Sequence, residues 1–258
     1  SNLTPFCSGI SGADYTALVR RAILGDHDPD RVVLMEIDPL QQKTLPDFTA
    51  TERLCGIRTV NIRDIVKAGN RLFSVREGKR IPIRRIYNRV IADELIRLKA
   101  DLPFSFRDEL EVEWTGHPNW FFHLSKFSIP FLDHPTVPRT IFLSDLRQLP
   151  GDLDRWVLKP LFSFAGLGVK IGPSREDIAS IPVDRRGTYV LQERVEYEGV
   201  VETPYGRTKA EVRIIYFWLD ELRAVHNIVR MGRGSQMGVD FNKGLDWVGG
   251  SAGLIKTN

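Results

Sequence analysis

The sequence is poor in cysteine and has no long apolar run. Only Cys7 and Cys55 are present among 258 residues, and they form no C-x-x-C pair. This excludes a disulfide-stapled scaffold and a zinc ribbon, and two isolated thiols fit a reducing cytoplasm. No stretch of 18 apolar residues occurs, so no transmembrane helix is predicted. The first residues carry neither a basic stretch nor an apolar core, so no secretory leader is predicted, and we expect a cytoplasmic protein.

The signatures of several enzyme classes are also missing. There is no G-x-x-x-x-G-K-[S/T] phosphate loop, no H-E-x-x-H zinc motif and no G-x-S-x-G nucleophile elbow. No G-x-G-x-x-G follows the first apolar segment, so a dinucleotide is not indicated.

Charge of one sign is not in large excess. The net charge of +3 is too small to indicate nucleic acid as a partner. The basic residues do cluster, however, because the segment from Arg76 to Arg97 holds seven Lys or Arg and three Asp or Glu. That cluster either binds an anion or forms a solvated face.

The first hundred residues alternate between apolar runs and helical periodicity. Ser11 is a suitable cap for a helix from Ala13 to about Leu24. A second helical region runs from Pro39 to Cys55, with a break at Pro46. Strand and helix in alternation predict a parallel sheet with right-handed crossovers, a small Rossmann-like layer. The predicted strands are 5–10, 31–37, 57–62, 72–75 and 81–87.

The pattern changes to α+β from Thr140 onward. A middle segment, 93–138, is predicted to be richer in helix, and its prolines mark a connector. We therefore predict two domains, 1–110 and 111–258. Helices are predicted at 144–149 and after Ser174. The predicted strands of the second domain are 140–143, 155–159, 168–172, 189–193, 210–218 and 222–229.

One stretch of the second domain, 155–172, gives the clearest indication of a ligand-binding function. An apolar run ends in Lys159, and a loop of small residues with Ser163, Gly166 and Gly168 follows. Glycine lets a backbone approach an anion closely, and the N–H groups of such a loop form an anion-binding concavity. Lys159 adds a point charge. The pattern predicts a cover over a polyphosphate.

This stretch belongs to an ordered series of short motifs. The others are Leu124-Ser-Lys126, Val190-Leu-Gln192-Glu193-Arg-Val195, Glu211-Val-Arg213, Arg230 and Asn242. The series resembles the ATP-grasp superfamily of ATP-dependent carboxylate–amine ligases, with a weak similarity to glutathionylspermidine synthase-like proteins, and covers roughly residues 117–258. The resemblance implies an α/β and α+β chain: a Rossmann-like pre-ATP-grasp domain followed by an ATP-grasp domain.

The resemblance implies ATP and Mg²⁺ as ligands. Two lysines hold the phosphates beneath the loop, and the backbone at the end of one strand pairs with the adenine edge. The residues implied in ATP binding are Lys126, Lys159, Ser163, Gly166, Gly168, Gln192, Glu193 and Val195. The residues implied in catalysis, facing the γ-phosphate and an acyl-phosphate intermediate, are Arg213 and Arg230. For Arg213, an ion pair with Glu211 is an open alternative.

The implied metal site departs from the family pattern, which expects an Asp followed by a Glu-x-Asn pair. This chain offers Glu211, Asp240 and Asn242, and strand alternation would put Asp240 and Asn242 on one face. Either the chain stops before the usual ligands or a rearranged site is used. Candidates for binding the substrate carboxylate are Ser8, Arg85 and Arg89.

The leading hypothesis is a ligase that activates a carboxylate as an acyl phosphate for attack by an amine, releasing ADP and phosphate. Its expected partners are a small-molecule carboxylate and an amine, with no membrane and no nucleic acid. The alternative is a nucleotide-binding protein of the same fold that lacks ligase activity and serves as a binding or regulatory module. A third class is an anion or nucleic-acid binder that uses the cluster from Arg76 to Arg97.

Overall fold

A computed structural model describes residues 3–7, 9–120, 124–163, 166–238 and 241–256. Within these ranges the chain has a mixed α and β structure, with several small sheets and few helices. In this part of the chain, no helix is both long and apolar enough to cross a membrane.

The helices are short and the strands numerous. The α-helices are α1 (Gly12–Leu24), α2 (Leu45–Cys55), α3 (Ala92–Arg97) and α4 (Arg175–Ala179). The strands are β1 (Leu3–Thr4), β2 (Val32–Glu36), β3 (Arg58–Asn61), β4 (Val66–Ala68), β5 (Arg71–Arg76), β6 (Lys79–Ile83), β7 (Arg85–Asn88), β8 (Glu113–Thr115), β9 (Thr140–Phe142), β10 (Trp156–Pro160), β11 (Lys170–Ile171), β12 (Tyr189–Glu193), β13 (Gly199–Thr203), β14 (Gly206–Trp218), β15 (Leu222–Gly232), β16 (Gly249–Ser251) and β17 (Ile255–Lys256).

The chain divides into two compact units. Unit 1 comprises Ser1–Pro118, Val212–Ile228 and Ala252–Asn258, and unit 2 comprises Asn119–Glu211 and Val229–Ser251. The sequence predicts a single boundary after residue 110, whereas the chain leaves unit 1 after Pro118 and returns to it twice. The reason is that β14 and β15 are long strands, each of which contributes residues to both units.

Unit 1 contains a parallel sheet in the order β3-β2-β7-β8. The central strand β2 is buried along its whole length, and its side chains alternate between two cores. Val32 and Leu34 pack with α1 and α2, whereas Val33 and Met35 pack against the β5–β6 hairpin and the segment after α3. This continuous apolar run is typical of a parallel strand covered on both faces.

The predicted parallel sheet is confirmed, but its strands are not all those predicted. The segment 5–10 lies outside it: β1 covers Leu3–Thr4 and pairs with β17. The fourth strand is instead β8, within the stretch predicted to be helical. The predicted strand 81–87 divides at Arg84 into β6 of an antiparallel hairpin and β7 of the parallel sheet. Short or half-polar strands such as β8 have little periodic signal in the sequence. Whether such a segment forms a strand therefore depends on the strands available to pair with it.

The signals for the start of α1 and the end of α2 are read correctly, whereas that for the start of α2 is not. Ser11 caps α1 in a reciprocal capping box with Asp14, as predicted. Gly56 ends α2 with a left-handed backbone (φ 74°). Pro46 does not break a helix, because α2 begins at Leu45 and its first turn leaves N–H groups unbonded anyway.

Unit 2 is built around an antiparallel sheet in the order β11-β10-β12-β9. Trp156, Leu158 and Leu191 face a core that they share with α4. Ser174 caps α4 in a capping box, as predicted. Instead of the helix predicted at 144–149, only a single 3₁₀ turn forms, over Leu143–Asp145. A further sheet in the order β13-β14-β15-β16 contains the two long strands.

Candidate functional site

Unit 2 contains a cavity of about 950 Å³ on the face of β10 and β12 opposite the α4 core. Period-two alternation explains this: Trp156 and Leu158 point into the core, so Val157 and Lys159 line the cavity. Seven of the residues predicted to bind ATP line the cavity: Lys126, Lys159, Ser163, Gly166, Gln192, Glu193 and Val195.

Gly168 has a different role. It does not line the cavity, and its backbone is left-handed, with φ at 72°. A Cβ atom at this position would lie 2.9 Å from Cγ of Pro160, so only glycine fits. Gly168 therefore shapes the turn between β10 and β11.

Lys159 enters the cavity from the end of β10. Its Nζ donates a hydrogen bond to Oε1 of Gln192, which lies on the neighbouring strand β12. Burial lowers the pKa of Lys159 from its ordinary value. The side chain is thus a partly desolvated cation, aimed into a cavity that opens to solvent.

Lys126 comes from the segment that precedes the sheet. Its Nζ donates to Oγ of Ser163 at 2.7 Å and to the Ser163 carbonyl oxygen at 3.0 Å. This ammonium therefore holds the beginning of the small-residue loop beside the cavity. Two lysines that are distant in sequence meet one cavity, as the motif series predicts.

The chain leaves β12 along the cavity wall. The amides of Glu193 and Arg194 donate to the carbonyl oxygens of Arg139 and Arg155, both at 2.8 Å. Val195 is the first residue beyond this pairing, and within the described residues its amide has no protein acceptor. An exposed strand end with a free amide can pair with the edge of a flat heterocycle.

Two further polar residues of the cavity were missed from the sequence. Lys209 lines it from β14, and Gln236 lines it from the loop after β15. Alternation along β14 contained a signal for Lys209, because this residue lies in the same i, i+2 series as Glu211 and Arg213. A loop residue such as Gln236 has no periodic signal.

The residues predicted for catalysis lie on β14 and β15. Within unit 2, the Arg230 guanidinium lies 3.9 Å from the Glu211 carboxylate, and both side chains are mostly buried. Arg213 is exposed, on the part of β14 that belongs to unit 1. Neither Arg213 nor Arg230 is among the described residues that line the cavity, so their catalytic roles stay predictions.

Asn242 is a loop clamp in this structure. It is 7% exposed, and its Oδ1 accepts hydrogen bonds from the amides of Arg233 and Gly234 at 2.8 and 2.9 Å. Its Nδ2 donates to the carbonyl oxygens of Gln236 and Gly238 at 2.9 and 2.8 Å. With both lone pairs of the amide oxygen in use, this arrangement leaves none for a metal ion.

The remaining metal candidates are Glu211 and Asp240. Asp240 lies outside the described residues, and Glu211 lies near Arg230. Among the residues that the structure describes, no group of three or more His, Cys, Asp or Glu could hold a metal ion.

Arg85, predicted to bind a substrate carboxylate, joins helix α1 to the sheet. Its Nε and one terminal nitrogen donate to the carbonyl oxygens of Ile23 and Ala22 at 3.0 and 3.1 Å. Its other terminal nitrogen pairs with Glu113. A cation at the helix C-terminus is stabilised by the exposed carbonyl groups. The guanidinium is therefore committed to structural partners.

The other substrate candidates are equally constrained or not described. Arg89 lies 3.0 Å from the Asp47 carboxylate, and its guanidinium stacks over the Phe48 ring at 5.7 Å. Ser8 lies outside the described residues. Internal contacts thus account for Arg89, as they do for Arg85.

The basic cluster from Arg76 to Arg97 is largely neutralised. Arg76 pairs with Asp30, and Arg84 lies 3.9 Å from Glu111. Arg97 lies 3.8 Å from Glu94. With Arg85 and Arg89 also paired, this pattern favours a solvated, ion-paired face over an anion-binding surface.

Unit 1 has a second cavity of about 620 Å³, beyond the carboxyl ends of β2 and β3. Asp38, Glu52, Asn61 and Asp64 line it, together with the ring of Phe48. Asp38 accepts a hydrogen bond from Asn61 at 3.0 Å, and Glu52 accepts one from the Thr59 amide at 2.7 Å. This cavity was not predicted, since its lining comes from four separate segments.

A buried carboxyl group at the end of β2 was also missed. Glu36 is 5% exposed, and its Oε1 accepts a hydrogen bond from the Ile37 amide at 2.8 Å. Burial raises the pKa of Glu36 to about 7. The sequence offered only one weak signal, a lone acid that closes an apolar run.

The cavity of unit 2 is the described site best suited to an anionic ligand. Three lysines, Lys126, Lys159 and Lys209, line it together with a small-residue loop and a free strand end. Neither the known protein families nor the curated proteins compared with this chain give a match.

Proposed function

We propose that the chain binds ATP in the cavity of unit 2 and acts as an ATP-dependent carboxylate–amine ligase of the ATP-grasp type. The observation that carries the proposal is the convergence of Lys126, Lys159 and the Ser163 loop on one cavity beside the end of β12. In this proposal the parallel sheet of unit 1 is the Rossmann-like pre-ATP-grasp domain, and unit 2 is the ATP-grasp domain.

The lining of the cavity suits each part of a nucleotide. Lysine ammonium groups bind phosphate oxygens through charge-assisted hydrogen bonds. Apolar side chains such as Val157 and Ile171 offer a flat wall for a purine, and the Val195 amide offers a donor to its edge. The volume lies at the upper end of the range usual for small-molecule sites.

The proposed reaction has two steps. A carboxylate oxygen attacks the γ-phosphorus of ATP, which forms an acyl phosphate and releases ADP. An amine then attacks the acyl carbon, phosphate leaves, and the amine nitrogen loses a proton. Catalysis of such transfers comes mostly from positioning and from cations that offset the charge on the phosphoryl oxygens. Arg213 and Arg230 are the proposed cations.

Magnesium is implied by the same resemblance, but the described residues do not fit it. Asn242 has no free lone pair, and Glu211 has Arg230 beside it. Neither step of the proposed reaction therefore relies on a magnesium ion held by these residues. This same observation favours the second candidate function, an ATP-binding module of this fold without ligase activity.

Thermal melting with ATP tests nucleotide binding in the cavity. We expect ATP at about a hundred times its Kd to stabilise the protein by about 2.7 kcal/mol, and so to raise Tm by several degrees. Lys159→Ala should remove the shift. Lys170→Ala should retain it, because Lys170 pairs with Asp177 outside the cavity. Equal shifts in both variants would contradict the site.

Product analysis separates the two candidate functions. A ligase turns over repeatedly, releasing many ADP per enzyme, only when both a carboxylate and an amine are supplied, so candidate pairs are screened for ADP turnover that depends on the amine. Binding of ATP without any such release across the screen would favour the binding module.

A further inference from the structure

We propose that Gln192 and Thr140 are positioning residues that hold the Lys159 ammonium group in the cavity of unit 2. The inference deepens the proposed function and rests on it for the identity of the ligand. Its physical basis is a hydrogen-bonded chain across three strands. Lys159 Nζ donates to Gln192 Oε1, Gln192 Nε2 donates to Thr140 Oγ1 at 2.8 Å, and Thr140 Oγ1 donates to the Pro138 carbonyl oxygen at 2.8 Å.

The Pro138 carbonyl oxygen fixes the direction of this chain. A carbonyl oxygen only accepts, so the Thr140 hydroxyl donates its single proton to the Pro138 carbonyl oxygen. It must then accept the hydrogen bond from Gln192. The amide NH₂ of Gln192 therefore faces Thr140, and its oxygen faces Lys159. Without the hydroxyl, the Gln192 NH₂ group loses its acceptor, and the orientation of the amide oxygen toward Lys159 is no longer fixed.

Burial prevents other arrangements of the pair. Gln192 is 6% exposed and Thr140 is 9% exposed, so neither side chain can turn to bulk water. The strand register places Gln192 on β12 between Val157 of β10 and Thr140 of β9. A buried amide with satisfied hydrogen bonds is rigid, and it therefore holds its partner cation in one place.

A neutral partner also preserves the charge of Lys159. Burial disfavours the ammonium form, and an accepting oxygen favours it. A carboxylate at position 192 would do the same but would neutralise the charge that phosphate binding needs. The charged groups that share the cavity lining with Lys159 are Lys126, Glu193, Arg194, Glu196 and Lys209, and the neighbouring strand β11 carries Lys170, which pairs with Asp177.

The test compares Thr140→Val, which removes the hydroxyl at nearly constant volume, with Thr140→Ser, which retains it. Calorimetric titration with ATP from pH 6 to pH 10 measures affinity. We expect Thr140→Val to weaken ATP binding about tenfold at pH 8, as for loss of one hydrogen bond to a charged group. The loss of affinity with rising pH should begin at a lower pH. Thr140→Ser should behave as the wild type.

A second readout needs no nucleotide. Lysines are dimethylated with ¹³C-formaldehyde, the Lys159 resonance is assigned with Lys159→Arg, and its titration gives the pKa directly. Thr140→Val and Gln192→Met should lower the pKa of Lys159, whereas Gln192→Glu should raise it. If Thr140→Val does not fold, Gln192→Met supplies both measurements.

The outcomes separate the two proposals. An unchanged Lys159 pKa in both Thr140→Val and Gln192→Met would overturn the positioning role, whatever ATP does. A lowered pKa in a protein that does not bind ATP would retain the positioning role and refute the proposed function.

Discussion

Replacing Glu36 with glutamine is expected to stabilise unit 1 by about 3 kcal/mol at pH 8 and to change its stability little at pH 4. Burial raises the pKa of Glu36 from 4.5 to about 7 in the folded chain. A carboxyl group with a raised pKa contributes its full stability below its unfolded pKa, where it is neutral in both states. That contribution is lost as the pH rises through 7, because folding must then bury a charge.

Glutamine keeps the shape of the neutral acid and the acceptor for the Ile37 amide. The measurement is urea unfolding at pH 4, 6 and 8, followed by far-ultraviolet circular dichroism. Glu109→Gln is the matched control, since Glu109 is exposed. If Glu36→Gln and Glu109→Gln keep the same dependence of unfolding free energy on pH as the wild type, the buried carboxyl account is wrong.

Replacing Asn242 with alanine is expected to destabilise unit 2 by about 3 kcal/mol and to weaken ATP binding. The change leaves two half-buried amide donors, of Arg233 and Gly234, and two carbonyl acceptors, of Gln236 and Gly238, without their partner. Gln236 and its neighbours Ser235 and Met237 line the cavity, so a loosened loop should alter the proposed nucleotide site.

Asn242→Asp distinguishes a clamp from a metal ligand. A carboxylate still accepts from the two amides but cannot donate to the two carbonyl groups, so the clamp account predicts a less stable protein with no gain in Mg²⁺ affinity. A metal-ligand role instead predicts a higher Mg²⁺ affinity in Asn242→Asp, because carboxylate oxygen binds Mg²⁺ better than amide oxygen. Chemical denaturation and magnesium titration of both variants decide between them.

Local signals predicted the elements that are decided locally. Ser11 and Ser174 are caps that correctly predicted helices α1 and α4, and the apolar run before Lys159 correctly predicted β10. The cavity lining followed from the order of the motifs rather than from any one of them. Local signals did not show that Pro46 opens a helix, because position within a turn decides what proline does.

Side-chain partners from distant segments account for most of the site residues that the sequence misjudged. From the sequence, Arg85 is predicted to be a free cation. In the structure it pairs with Glu113 of β8 and donates to a carbonyl group at the C-terminal end of α1. Asn242 is predicted to be a metal ligand on a strand, but it lies in a loop whose backbone groups hydrogen-bond to its side-chain amide. Lys209 and Glu36 had only weak signals in the sequence, and their sites depend on strand pairing, which those signals do not specify.

The central claim is that the cavity of unit 2 binds ATP through Lys159. Calorimetric titration of ATP into the wild-type chain and into Lys159→Met tests it most directly, with Lys170→Met as the control at an exposed lysine. The account predicts one binding site in the wild type and the control, and affinity reduced about a hundredfold or more in Lys159→Met, as for the loss of a partly buried charge-assisted contact. Equal affinity in all three proteins, or no binding to the wild type, would contradict it.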